Sequence, residues 1–284
     1  MNEEIDAIVK AINGLHQETN YFKDYVFPIA SAFFTSILGA AIAYITIKDQ
    51  DFKSNERSKL NTANKWIVLV EEARANLLAI KSTYNDNLSD HPIHRMSNIK
   101  EIVFYANPIT ENYDTLSFIA LKKKGDKLHK WGDIPRLRAM INNYNYLIKL
   151  WDERNKLYRN INQKILTNFG NGSGCFDISI ENIIKCMGEA DICALINITE
   201  RAVKLTDDLI IEQNDFLINF PRHVRTLINT KKIKDYGAVL GYSNNGNEGL
   251  LKLLEKSKKP SFESVEVIFK MKKEEIEKMH FTGY

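Results

Sequence analysis

The chain has 284 residues, 44% of them hydrophobic and 26% charged, with a formal charge of +3. That near balance gives no general attraction for nucleic acid, so any such contact would have to come from local clusters. Cys175, Cys186 and Cys193 are odd in number and lack the close pairs of a zinc site, which argues against a disulfide framework and agrees with a reducing cytoplasm. Abundant Asn, Lys and Ile, with Lys far above Arg, read as a low-GC bacterial genome or mobile element.

Residues 1–24 carry Ile5, Ile8, Val9, Ile12 and Leu15 at helical spacing, with Glu3, Glu4, Asp6 and Lys10 on other faces. This predicts an amphipathic helix, lying on the outer leaflet or packed against copies of itself.

Residues 25–48 contain Val26 to Ile47, twenty-two residues without a charge. At 1.5 Å per residue they make a helix of roughly 33 Å, enough to cross a hydrocarbon core of about 30 Å. "AIA" at Ala41–Ala43 has the look of a signal-peptide cleavage site, but the segment before the run is long and acidic where an export signal is short and basic, so an anchor is expected. Lys48, Lys53, Arg57, Lys59 and Lys65 follow the run, against Lys10 and Lys23 before it. The expected topology is a single pass through the inner cell membrane, N-terminus outside and C-terminal portion cytoplasmic. Ala32, Ser36, Gly39, Ala40 and Ala43 form a small-residue stripe of the kind that lets helix backbones approach in lipid.

From Ile29 to His91 there is no proline, so residues 49–92 are expected to continue the span as a helical stalk. Ala63, Trp66, Ile67, Val70, Ala73, Leu77, Ile80 and Tyr84 recur close to every 3.5 residues and predict an apolar seam facing partner helices. Pro92 closes this stretch.

Residues 93–284 are read as a cytoplasmic α-helical domain. Ser97 to Gly132 predicts short helices around "NPIT" and "KKKGDK". Asp133 is placed to cap a helix with Pro135 in its first turn, and a seam of Ile134, Leu137, Ile141, Tyr144, Ile148, Trp151, Tyr158 and Ile165 runs to about Asn168. Asn155 occupies a seam position, where a polar residue sets register or partner number. After "FGNGSGC" a second helix is expected from Ile180 to Phe220, weakest at Gly188, forming an antiparallel hairpin with the first. Its Thr199, Thr206 and Gln213 recur every seven residues as polar layers of a bundle core, and Cys186 and Cys193 would share a face. A basic helix is expected after Pro221, then a turn-rich "GYSNNGNEG". The last helix spans Phe262–Met279, with Val265, Phe269, Ile276 and Met279 inward and a strand at "VEVIF" as the alternative.

Catalytic chemistry finds little footing. "GNGSG" at Gly170–Gly174 follows a helix and runs into Cys175-Phe176-Asp177, unlike a P-loop, which follows a strand and ends in Lys-Ser/Thr. His91 and His94 have metal-site composition, yet Pro92 keeps a regular helix from aligning them. No HExxH, GxSxG or dinucleotide fingerprint occurs, so no catalytic residue, metal site or cofactor is assigned. Lys122, Lys123, Lys124, Lys127 and Lys130 form the densest basic cluster, and Arg222 and Arg225 anchor a second with His223, Lys231, Lys232 and Lys234. These are the candidate contacts to acidic lipid headgroups or nucleic acid, weighed against a merely solvated face.

The sequence thus predicts a mainly α protein: one transmembrane helix followed by an elongated cytoplasmic antiparallel helical bundle. The expected function is that of a bacterial membrane effector, of the antiviral kind, which self-associates and perturbs the membrane when triggered. Expected partners are membrane lipid, further copies of the chain and a cytoplasmic protein. The alternatives are a membrane-tethered scaffold or receptor, and an anchored enzyme acting on a nucleotide or nucleic acid.

Overall fold

The computed structural model describes residues 2–15, 21–120, 128–170, 179–244 and 246–280. The fold is mainly α, with no strand among the described residues. The chain divides into two units, residues 1–55 and 56–284.

Unit 1 holds α1 (Asn2–Leu15) and the first half of α2 (Phe27–Tyr84), preceded by a π-helical turn at Phe22–Val26. None of its described residues is buried. The periodic apolar face of α1, Ile5, Ile8, Val9 and Ile12, is exposed.

Unit 2 begins inside α2, at Glu56. The predicted seam from Ala63 to Tyr84 is buried at every position, together with Leu60. Its partners are helices of the same chain. Residues read as the later part of a stalk therefore build the core of the domain.

Three long helices form that core: α2, α4 (Ile134–Phe169) and α6 (Glu189–Leu227). Side-chain pairs fix their directions. Arg74 meets Asn214 and Lys81 meets Asp207, so α2 and α6 are antiparallel. Trp151 meets Thr206 and Lys164 meets Asp191, so α4 and α6 are antiparallel too. Asn76 meets Tyr144 while the Tyr84 ring lies 5.6 Å from Trp151, which makes α2 and α4 parallel neighbours. Parallel helices need a long return connection, and residues 85–133 supply it.

That connection contains α3 (Pro92–Asn98), an extended stretch and a 3-10 segment at Tyr113–Ala120. "NPIT" lies in the extended stretch rather than in a helix. Two asparagines of α4 hold it as a strand neighbour would. Asn155 accepts from Ile102 N (3.3 Å) and donates to Ile102 O (2.8 Å), and Asn145 does the same to Ile109 at 2.8 Å each. Asn155 therefore satisfies backbone groups of its own chain, the need that a buried amide answers best. Arg154, fully buried, donates to the carbonyls of Met96, Ile99 and Lys100 and so closes the C-terminal end of α3. "KKKGDK" lies outside the described residues.

Asp133 is the N-cap of α4 without a side-chain cap bond, and Pro135 sits in the first turn. The single helix expected from Ile180 is two: Gly188, expected only as its weakest point, takes a φ of +80° and separates α5 (Ile180–Met187) from α6. The break also removes the shared face expected of Cys186 and Cys193, which lie on different helices as free thiols. Thr199, Thr206 and Gln213 are completely buried on α6. Thr206 accepts from Trp151 Nε1 (3.0 Å) and donates to Ala202 O (2.7 Å). Contrary to expectation, α6 runs through Pro221 to Leu227, because Phe220, Pro221 and Val224 are all buried and packing offsets the missing backbone bond.

Beyond α6 lie a 3-10 turn at Thr230–Ile233, α7 (Glu248–Leu254), α8 (Phe262–Phe269) and α9 (Lys273–Met279). The single last helix expected at 262–279 is two, divided at Lys270 in the left-handed conformation (φ 54°). "VEVIF" is helical, and Val265 and Ile276 point inward as expected. Ile93, Met96, Ile161, Met187, Ile192, Leu195 and Ile196 make a second, smaller core, on which Ile268 and Phe269 pack.

Candidate functional site

Two features of the molecule lack a purely internal explanation: an apolar helix segment in unit 1 and a charged cleft in unit 2.

The first half of α2 is long and apolar enough to cross a membrane, and none of its apolar window is buried by protein. Ile29, Phe33, Phe34, Ile42 and Ile45 are each exposed by more than 60%. That much contiguous apolar surface on a helix is costly in water and ordinary in lipid. Thr35 Oγ1 donates to Ser31 O at 2.8 Å, which removes the hydroxyl's need for water. Tyr21, Phe22 and Tyr25 stand near one end of the run and Tyr44 near the other, with Lys48 Nζ 5.9 Å from the Tyr44 ring. Tyr25 and Tyr44 are about 29 Å apart along a helix axis, the separation of two membrane interfaces, where tyrosines concentrate. Ala32, Ser36, Gly39, Ala40 and Ala43 are exposed on this segment, and a Cβ added at Gly39 would meet nothing within 4 Å.

The cleft lies among α3, α6, the 256–260 segment and the α8–α9 pair, with a volume of about 450 Å³. Its floor is charged and buried. Arg95 Nε is 2.7 Å from Glu200 Oε1, both nearly inaccessible. Burial pushes the Glu200 carboxyl up to about 7, although Arg95 opposes the shift. Asp207 is held by Lys81 Nζ (2.7 Å) and by Ser257 N (2.7 Å) and Oγ (3.0 Å). Lys81 also donates to Glu255 O, so one completely buried ammonium ties α2, α6 and the C-terminal segment together. Asp208 pairs with Lys256 (2.8 Å), and Lys258 reaches out to Asp90 (2.8 Å). Lys204 and Lys259 line the same cavity, whose apolar walls are Val203, Phe262, Val265 and Ile276. At its edge His280 Nε2 lies 3.0 Å from Asn197 Oδ1, its pKa lowered to about 4 by burial, then by Lys204 and Arg201.

Of these cleft residues only the wall residues Val265 and Ile276 were expected from sequence, as inward positions of the last helix; none of the charged residues lining the cleft was singled out. The available signal was "DD" at Asp207–Asp208, beside the Thr206 layer of an otherwise apolar helix face, together with "KSKK" at 256–259.

The predicted basic residues fare differently. Lys122, Lys123, Lys124 and Lys127 lie outside the described residues. Lys130 is engaged internally, 3.2 Å from Glu212 and 2.7 Å from Asp215, with its ammonium 4.9 Å from the Trp131 ring. Arg222 is exposed, and Arg225 donates to Val239 O at 3.1 Å. His129, next to Lys130, and His223 stack at 4.2 Å, nearly coplanar. The His129 pKa is lowered by burial and by His223, partly offset by Asp215. His91 and His94 approach edge-on at 5.3 Å, and no metal-binding group of three or more ligands occurs among the described residues. Of the glycine loop only Gly170 is described, as the C-cap of α4.

No family model matches this chain, and no curated protein or solved structure matches it either.

Proposed function

We propose that the chain is a single-pass membrane protein of bacterial origin, N-terminus outside and unit 2 in the cytoplasm, which acts by binding and self-association and perturbs the membrane when triggered. The observation that carries this reading is the uncharged run of α2 to Ile47, none of it buried by protein, with tyrosines near its two ends. Lysines and an arginine follow that segment at once, which favours retention of unit 2 on the cytoplasmic side. The small-residue stripe supplies a surface for close helix approach.

The test has two parts. With the native cysteines replaced, Glu3→Cys should be labelled by an impermeant thiol reagent in intact cells, while Lys278→Cys should be protected until the cells are lysed. Overexpression should then depolarise the membrane, read by uptake of a potential-sensitive dye. The reverse labelling pattern would invert the topology, and correct topology with an unchanged potential would remove the effector activity. The cleft in unit 2 favours a second reading in that event, a membrane-tethered receptor or scaffold for a cytoplasmic partner.

A further inference from the structure

The charges of the cleft cancel in pairs, and the exceptions define what it would hold. Arg95 answers Glu200, Lys81 and Ser257 answer Asp207, and Lys256 answers Asp208. Lys258 is turned to Asp90. The buried carboxylates of the floor are thereby all matched. Lys204, half-buried on α6, and Lys259, on the 256–260 segment, have no ion-pair partner among the described residues. Among the described residues the one remaining acid of the lining, Glu277, is exposed at the rim, where solvent screens it.

The geometry points to a binding site for a phosphate monoester carried on an aromatic or apolar body, the phosphate taken by Lys204 and Lys259 and the body seated against Phe262, Val265 and Ile276. Two ammonium groups match the charge of a phosphate dianion, and charge-assisted bonds of this kind are among the strongest available. The volume of about 450 Å³ lies in the range of small-molecule sites that combine apolar walls with a few convergent polar groups. An anion beside Lys204 would also counter the positive field that, with burial, keeps the His280 imidazole neutral. Unit 2 supplies every residue, so the site stands independently of the membrane assignment.

Isothermal titration of the 284-residue chain in detergent with the 5′-monophosphates of adenosine, guanosine and uridine tests it, with adenosine and inorganic phosphate as separate arms. At least one nucleotide should bind, with an affinity that falls as salt rises. Lys204→Ala and Lys259→Ala should each weaken binding roughly tenfold to a hundredfold, while Lys204→Arg retains it. Lys259 is exposed, so its variant remains informative even where Lys204→Ala folds poorly. Failure of all three nucleotides, equal binding of adenosine, or indifference to Lys259→Ala would overturn the proposal. Inorganic phosphate binding as tightly as the nucleotides would overturn it as a site for an organic ligand.

Discussion

His280 sits just beyond α9 with its ring against Asn197 of α6. Its folded pKa of about 4 lies below the ordinary 6.5, so the folded chain holds this proton less tightly than the unfolded chain. The contribution to stability is full above about pH 6.5 and is lost as pH falls toward 4. Glu200, raised to about 7 by burial, acts in the opposite sense: its contribution is full below about pH 4.5 and is lost as pH rises through 7. Between about pH 4.5 and 6.5 the two oppose each other, which hides both from a pH profile of the unaltered protein. His280→Asn should separate them. Relative to the parent, the variant should gain stability as pH drops from 6.5 to 4, by up to about 3 kcal/mol. Urea unfolding of the full chain, followed by tryptophan fluorescence, reads this directly, since Trp66, Trp131 and Trp151 are all buried in unit 2. A stability gap that stays constant with pH would exclude the burial argument.

Among the elements, α2 joins two kinds of surface in one helix. Up to Asn55 none of its apolar residues is buried, whereas from Glu56 onward its apolar seam is buried. On the proposed function, the stripe at Gly39 and Ala43 carries self-association. Gly39→Leu combined with Ala43→Leu should shrink the detergent-solubilised particle without reducing membrane insertion, because leucine blocks close helix approach yet favours lipid. Unchanged particle mass by light scattering would remove the stripe from the argument. The antiparallel pairing of α4 with α6 and the weak point at Gly188 were legible because heptad spacing and a lone glycine are local signals, although the full break there was not. The division of α8 from α9 was not. Lys270 adopts the left-handed conformation without being Gly or Asn, and Ile268 and Phe269 pack on the small core while Lys270 reaches Glu189 at 3.1 Å.

At the scale of unit 2, the three-helix core and the C-terminal segment converge on Lys81. Its ammonium is inaccessible to solvent and contacts Asp207 of α6 and the Glu255 carbonyl. Lys81→Met should therefore destabilise the unit by roughly 3–5 kcal/mol, because Asp207 is left as a buried charge without its cation. Adding Asp207→Leu should recover part of that loss, since an apolar pair of similar volume avoids the desolvation cost. Urea midpoints of the single and double variants check it, and a double variant no more stable than Lys81→Met would show that the pair matters through packing alone.

Sequence by itself determined the helical class, the uncharged segment of α2, the seams of α2 and α4 and the polar layers of α6. Each is written in a periodicity or a local breaker that one helix can express. Only the tertiary structure decided that the seam of α2 is covered by α4 and α6 of the same chain, that α2 and α4 run parallel around a long return, and that Asn145 and Asn155 hold that return in place. The cleft belongs to the same class: Arg95, Glu200, Lys204, Asp207 and Lys259 come from three separate stretches of chain. Each reads alone as an ordinary charged residue. A helix pattern records which face is apolar, but not which distant carboxylate a buried ammonium will meet, because that pairing depends on the packing of whole helices rather than on spacing along one.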